Sequence, residues 1–592
     1  VYIVPKPSKE AAVEKKNVSF MRSLCMGQIE EEVILPFPTL SESERETLQT
    51  VVSSVGQLMG SHEKEFRSWD EKAELPPEFI AELKEFGLFG LVIPESDGGL
   101  GFGAGAYSRA LQEVGKYDAS VAVTIGAHSS IGMRGLLLFG TDEQKAQYYG
   151  KLATGEMIAA FCLTEPGSGS DAASIKTTAV KDGEDWVLNG SKIWITNGGI
   201  ADFFTVFAKT GGVDERGKLS AFIVTRDMEG VSNGPHELKM GIRASSTTTV
   251  TLDNVRVPAK NLLGEEGKGF KVAMNILNSG RTGLGGGCVG GMKRVIALAT
   301  QQAKGRVQFG KPISEFGLMK QKVGQMVVDC YATEAVVSMV ASFTDRGFSE
   351  YQVEAAISKV FASECMWRTV DEGLQIAAGN GYMCEYPYER AMRDSRINRI
   401  FEGTNDVLRL FIALTGMNDV GQELRELAGS LKGVFNDPIK GFGVISEAAL
   451  RRAALATGIK REGTSFSKLH VSLTPFAAQF EEHTRDLATA TDRVLRKHGK
   501  QIIEKQFATK RLADIMIDLF VLACVMSRVD SAIRSKGEEA AKPERDILTT
   551  FAGQARRRIK TTMAEIDDNE DEAIKSLADH AFELERFGWD TL

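Results

Sequence analysis

Glu402 sits in Ile397-Asn398-Arg399-Ile400-Phe401-Glu402-Gly403-Thr404-Asn405-Asp406, with two bulky apolar residues before it and a glycine after it. A carboxylate held in apolar surroundings resists ionisation, so its pKa rises toward neutrality. That is the tuning a general base needs at working pH. Gly403 lets the backbone approach a ligand closely. Thr404, Asn405 and Asp406 offer polar contacts just beyond. By itself, a glutamate ending an apolar run is more often a helix terminus or a solvated charge.

Four further stretches carry chemistry-bearing residues. Leu163-Thr164-Glu165-Pro166-Gly167-Ser168-Gly169-Ser170-Asp171 leaves an apolar run and turns sharply. Its glycines permit the turn, and its hydroxyls and N–H groups suit a phosphate or a flavin edge. The plain alternative is a surface turn. Lys192 to Gly199 places Trp194 and Thr196 on one face of a strand by the two-residue period. An indole beside a hydroxyl suits a flat heteroaromatic ring, and equally a core Trp with a partner. Gly305-Arg306-Val307-Gln308-Phe309-Gly310 offers a guanidinium fit for a pyrophosphate, though a lone loop Arg is usually solvated. Gln375 to Gly381 ends a helix or meets a ligand's backbone.

The elements that must position these residues follow from periodicity. Ser41 and Glu44 read as a capping box, and helices follow to about Leu152. The glycines at 98, 99, 101, 103 and 105 lack the order and the βαβ context of a dinucleotide fingerprint. They are read as a turn into a helix from Ala106. From Met157 to Pro258 the runs are strand-like, with Trp186–Gly190 and Lys192–Gly198 read as two strands. Helices return after Gly264. Gly280 to Gly291 is glycine-rich within a helical pattern, at a propensity cost that implies close backbone packing. Further helices are read over Met319–Arg346 and Tyr351–Ala378, and again from Gln422, including Ile502–Arg534. The order is α, β, α and an additional α region.

The chain has 592 residues, 43% of them hydrophobic and 25% charged, an ordinary globular balance. A net charge of −8 argues against a nucleic-acid binder. Seven cysteines without a CxxC, and no HExxH, argue against a disulfide framework or a zinc site. No metal is expected. No apolar run approaches the ~20 residues of a membrane span.

Taken in this order, Phe161–Asp171, Lys192–Gly199, Arg306–Gly310, Gln375–Gly381 and Ile400–Asp406 resemble the acyl-CoA dehydrogenase family over residues 46 to about 415. The C-terminal extension and Gly269–Arg281 look most like its very-long-chain subgroup. The resemblance implies a mixed α and β fold. An arm (1–45) precedes an N-terminal helical domain (46–156), a middle β-domain (157–262) and a C-terminal helical bundle (263–416). An extra helical domain (417–592) ends the chain.

It also implies FAD. Phe161, Leu163 and Thr164 should line the ring edge, with Gly169 and Ser170 alongside. Trp194 should cover the ring, and Thr196 should bond near N5. Arg306, Phe309, Gln375 and Gly379 should hold the FAD of a partner subunit in a homodimer. Thr404, Asn405 and Asp406 should flank the dinucleotide. Ser170, Asn278, Arg281, Phe401 and Gly403 should meet the acyl-CoA. Glu402 should take the α-proton while flavin N5 takes the β-hydride, giving a trans-2-enoyl-CoA. Electrons should pass to an electron-transfer flavoprotein.

The implied setting is mitochondrial fatty acid β-oxidation at the matrix face of the inner membrane. An alternative is a dehydrogenase-like assembly factor for respiratory complex I. The small-residue run Ala119–Gly126 leaves room either for close helix packing, the more common reason, or for a long acyl tail. Residues 430–465, with Phe435, Ile439, Phe442 and several basic side chains, are expected to lie on a membrane surface. One departure stands out: Ala378 precedes Gly379 where the family often has two glycines.

Overall fold

The computed structural model describes residues 18–211, 218–433 and 463–591. The membrane-surface segment falls almost wholly outside them. Two compact units are formed, Phe37–Val407 and Val18–Pro36 with Leu408–Leu592.

In the first unit, helix α1 (Glu42–Ser61) starts where the sequence places its cap. Ser41 Oγ accepts from Glu44 N at 3.3 Å, and Ser41 N donates back to the Glu44 carboxylate at 3.2 Å. Helix α2 (Ala104–Tyr117) begins two residues before the expected Ala106. The reason is tertiary: Asp345, far along the chain, accepts from Ala104 N at 2.6 Å and Gly105 N at 2.9 Å. Those donors would otherwise be orphans of the first turn. Helix α3 (Ala119–Gly126) is capped by Asp118 and runs into a π-helical turn, Ala127–Gly132.

The middle of this unit is one eight-stranded sheet. Its strands are β1 (Ala159–Cys162), β2 (Thr178–Asp182), β3 (Asp185–Thr196), β4 (Phe203–Thr210), β5 (Leu219–Thr225), β6 (Val231–Asn233), β7 (Thr247–Val257) and β8 (Leu262–Leu263). The order is β6-β7-β3-β2-β4-β5-β8, with β1 also on β4. β1 and β2 run parallel to β4, and the remaining pairs are antiparallel. The sequence had suggested two strands where β3 is one. Gly190 does not turn the chain. It is a bulge position, where a Cβ would lie 2.3 Å from Thr177 Oγ1.

Beyond the sheet come α4 (Gly269–Gly305), α5 (Gly317–Asp345), α6 (Gln352–Ala377), α7 (Tyr388–Arg396) and α8 (Asn405–Gly416). The glycine-rich stretch lies inside α4, and the expected close packing is present. A Cβ on Gly290 would meet Gln112 O at 2.1 Å, and one on Gly286 would meet Ser108 O at 2.8 Å. Thus α2 lies backbone to backbone on α4. This contact offsets a propensity cost of roughly 1 kcal/mol per glycine.

Two helical stretches reach membrane-spanning length and apolarity, Ala119–Phe139 and Gly317–Asp345, contrary to the sequence expectation. Their windows are 61% and 78% buried inside the protein, so they are core helices.

The second unit is helical. Asn418–Gly433, Thr474–His498, Gln506–Lys536, Lys542–Glu565 and Asp571–Leu584 are its longer elements. The N-terminal helix Phe20–Cys25 belongs to its core. Phe20 packs against Phe480 at 6.4 Å and Phe520 at 6.2 Å between ring centroids.

Candidate active site

Glu402 lies on the turn that joins α7 to α8, after a short 3-10 segment, Ile397–Arg399. Its backbone is left-handed, with φ of 58°, and Gly403 follows at 91°. A side chain in that region costs about 1–3 kcal/mol and persists only where surrounding structure imposes it. The imposing contacts are visible. Arg281 Nε lies 3.4 Å from Glu402 O, and Lys359 Nζ donates to Gly403 O at 2.7 Å. Lys359 also donates to Asn405 Oδ1 at 2.8 Å. The Asn405 amide donates in turn to Ser363 Oγ at 3.0 Å and Glu364 Oε1 at 3.1 Å. Thr404 Oγ1 accepts from Val407 N at 3.3 Å and so caps α8.

The Glu402 carboxyl is directed at α4. Its Oε2 is buried and accepts no hydrogen bond among the described residues. Burial pushes its pKa up to about 7, against the opposing pull of Arg281 and Lys359. No carbonyl or hydroxyl among the described residues accepts from its backbone N–H. An orphaned acceptor and an orphaned donor therefore belong to one residue, which is how a base and an oxyanion donor look before a substrate arrives. Arg281 is buried with its NH1 on Asn278 Oδ1 at 3.1 Å, and burial holds its pKa down at about 10. Lys359 is likewise depressed by burial, to about 7.

A second group of residues gathers where β1 leaves the sheet. Thr164 O accepts from Ile193 N at 3.0 Å, which ties the 163–171 turn to β3. A buried ion pair lies beneath, Lys192 Nζ to Glu165 Oε1 at 2.7 Å, with Glu165 also accepting from Thr177 N at 3.0 Å. Trp194 and Thr196 were placed on one strand face by alternation. The strand does not alternate at this point. β3 is bulged between Lys192 and Ile195, and Trp194 has φ of 56°. The indole is 63% exposed, so it is not a core residue. Thr196 and Phe161 are half-buried, Leu163 is buried, and Gly169 and Ser170 are exposed.

The π-helical turn links the two groups. His128 Nδ1 accepts from Ala159 N of β1 at 2.9 Å, and Nε2 bonds Phe89 O at 3.1 Å. Burial lowers the His128 pKa to about 4, so the ring stays neutral. From the same turn, Ile131 faces Gly280 of α4, beside Glu402.

Arg306, Phe309, Gln375 and Gly379 lie on the surface. Phe309 is 93% exposed on a two-stranded ribbon, Val307–Gln308 with Lys311–Pro312, and Ala378 ends α6 at φ of 52°. The Arg306 guanidinium, the Gln375 amide and the hydroxyls of Thr164, Ser170 and Thr196 have no protein partner among the described residues. Free donors of this kind match the acceptors of a flavin edge and a pyrophosphate, so the residues fit FAD. Asn405 differs. Its side chain faces inward and is committed to Lys359, Ser363 and Glu364.

Sequence reasoning missed Lys359, Lys192, Glu165 and His128. The signal for Lys359 was present as a lone lysine in the apolar stretch Ala355-Ala356-Ile357-Ser358-Lys359-Val360-Phe361.

Comparison with known proteins matches three consecutive families between residues 43 and 416. They are the acyl-CoA dehydrogenase N-terminal domain over 43–156, its middle domain over 160–255 and its C-terminal domain over 267–416. The ACAD9/ACADV C-terminal domain matches 471–587. The very long-chain specific acyl-CoA dehydrogenase, mitochondrial, of Macaca fascicularis is 43% identical, over 95% of this chain and 86% of its own. A crystal structure of an acyl-CoA dehydrogenase complexed with FAD from Bacillus anthracis superposes with a TM-score of 0.77 at 32% identity, covering 92% of this chain and 91% of that one. Butyryl-CoA dehydrogenase from Megasphaera elsdenii covers 63% of this chain and 98% of its own, with a TM-score of 0.61 at 37% identity.

Proposed function

The chain belongs to the acyl-CoA dehydrogenase family of FAD-dependent enzymes, and from that premise we propose that it oxidises long-chain and very-long-chain acyl-CoA to the trans-2-enoyl thioester, with Glu402 as the base. The observation that carries this reading is the Glu402 carboxyl, buried, unpartnered and pushed up to about 7.

A thioester α-C–H is far too weak an acid for a carboxylate in water. The developing enolate oxygen needs a donor that is already aimed, and the free N–H of Glu402 supplies one. Glu402 then accepts the α-proton on Oε2, the atom left without a partner. Bound FAD supplies the acceptor for the β-hydride. Thr164, Ser170 and Thr196 would hold the flavin ring, with Trp194, Phe161 and Leu163 beside it. Thr404 and Asp406 flank the dinucleotide. Asn405 acts from behind, by fixing the turn. Asn278, Arg281, Phe401 and Gly403 border the thioester.

Arg306, Phe309, Gln375 and Gly379 would reach the FAD of a second copy in a homodimer, which accounts for their exposure. An electron-transfer flavoprotein reoxidises the enzyme. Long-chain preference rests on the very-long-chain relative and on α3, where a Cβ on Gly126 would meet nothing within 4 Å. The relative's name also supports a mitochondrial setting. Residues 430–465 attach the protein to a membrane, which flotation with cardiolipin-containing liposomes tests by comparing the whole chain with one lacking 433–463. Nothing in the site favours the assembly-factor reading.

The experiment is anaerobic addition of palmitoyl-CoA to the purified yellow protein. Bleaching of the flavin band supports dehydrogenation. A series from butyryl- to stearoyl-CoA then reads the chain preference, and an optimum at the short end overturns it.

A further inference from the structure

Two adjacent residues in left-handed backbone hold the base, and one of them carries a side chain. Such a turn persists only where surrounding contacts impose it, and both of its carbonyls are approached by buried cationic side chains. Arg281 approaches the first carbonyl at 3.4 Å, which is long for a hydrogen bond. The second is held by Lys359 at 2.7 Å, and the same ammonium reaches Asn405 at the start of α8 at 2.8 Å. Lys359 is fully buried and belongs to α6, a helix locked into the core along most of its length. Burying an ammonium costs several kcal/mol and is sustained only by good partners. Two neutral oxygens would satisfy most of its three donors while leaving its charge uncompensated. The charged and titratable groups that face it are Glu402, Arg281, Cys288 and Glu364.

We propose that Lys359 is a positioning residue for the reaction: its ammonium clamps the Glu402–Gly403 turn to α6, so that the carboxylate and the N–H of Glu402 are both aimed at the substrate, and its charge favours the ionised base. The proposal rests on Glu402 being the base.

Lys359→Met removes both clamp and charge. Lys359→Gln removes the charge but keeps an amide donor for Gly403 O. In Lys359→Met, kcat falls about a hundredfold, the scale of an ~1 Å misplacement, with KM within about threefold and flavin content unchanged. In both variants the acid limb of the rate moves to higher pH, because a cation that favoured the carboxylate is gone. Lys359→Gln recovers part of kcat but not the limb. A structural lysine would move melting temperature and flavin content together and leave the limb in place.

Parental kcat in Lys359→Met, a fall confined to KM, or an unmoved limb in Lys359→Gln overturns the proposal. If Lys359→Met yields no folded protein, the limb of Lys359→Gln decides alone. Glu402→Gln is measured beside them. Activity there defeats the base assignment, whereas an inactive Glu402→Gln with unaffected Lys359 variants defeats only the clamp.

Discussion

A Cβ placed on Gly280 would lie 2.8 Å from Oε2 of Glu402 and 2.7 Å from Cγ2 of Ile131. The absence of a side chain on α4 is thus what leaves room for the carboxyl, because one methyl would push the base off its position or force Ile131 aside. Gly280→Ala should lower kcat/KM by about tenfold to a hundredfold and destabilise by roughly 1–3 kcal/mol. Gly287→Ala is the matched control on the same helix, since its Cβ meets nothing within 4 Å. It should stabilise by roughly 0.5–1 kcal/mol through helix propensity. Turnover and thermal melts of the two variants separate crowding from propensity.

Glu402 must be ionised to accept a proton, and burial holds its pKa up at about 7. The rate of flavin reduction by substrate should therefore rise through about pH 7, as read by stopped-flow across a pH series.

The same group affects stability with the opposite sign. Its pKa when unfolded is about 4.3, below the folded value, so the folded state binds more protons between the two. Stability contributed by this group is present below the unfolded value and is lost as pH rises through the folded one. Glu402→Gln removes that penalty. It should be more stable than the parent by roughly 1–3 kcal/mol at pH 8, with the difference vanishing toward pH 4, as checked by denaturant melts at both ends.

Ala378 closes α6 at φ of 52°, a position that glycine occupies without strain. Ala378→Gly should stabilise by about 0.5–1 kcal/mol, because relief of backbone strain outweighs the greater freedom of glycine in the unfolded chain. Retention of flavin on gel filtration should be equal or better. A lower melting temperature would show that the left-handed alanine is not strained.

Much of the frame was legible because it rests on local signals. The Ser41 cap, the position of the β region and the glycine-rich core of α4 all follow from the sequence, whereas the division of β3 into two strands does not hold. What was not legible depends on distant partners. Helix α2 starts early because Asp345 reaches it from 240 residues away. The strand holding Trp194 does not alternate, because bulges at Gly190 and near Trp194 break the two-residue period. Lys359 was invisible as a site residue, because a lysine in a sequence reads as surface until its helix is known to be buried. Glu402 stands out in the sequence by its flanking residues, but its left-handed backbone and its unpartnered Oε2 are properties of the packed turn.

One measurement tests the role of Glu402 most directly. Glu402→Gln keeps the size of the side chain and loses only the ability to accept a proton. The variant should fold, keep its yellow flavin and bind palmitoyl-CoA, yet show almost no bleaching under anaerobic conditions in which the parent bleaches fully. Bleaching of Glu402→Gln at close to the parental rate would show that another group removes the α-proton, and would contradict the assignment on which the site is built.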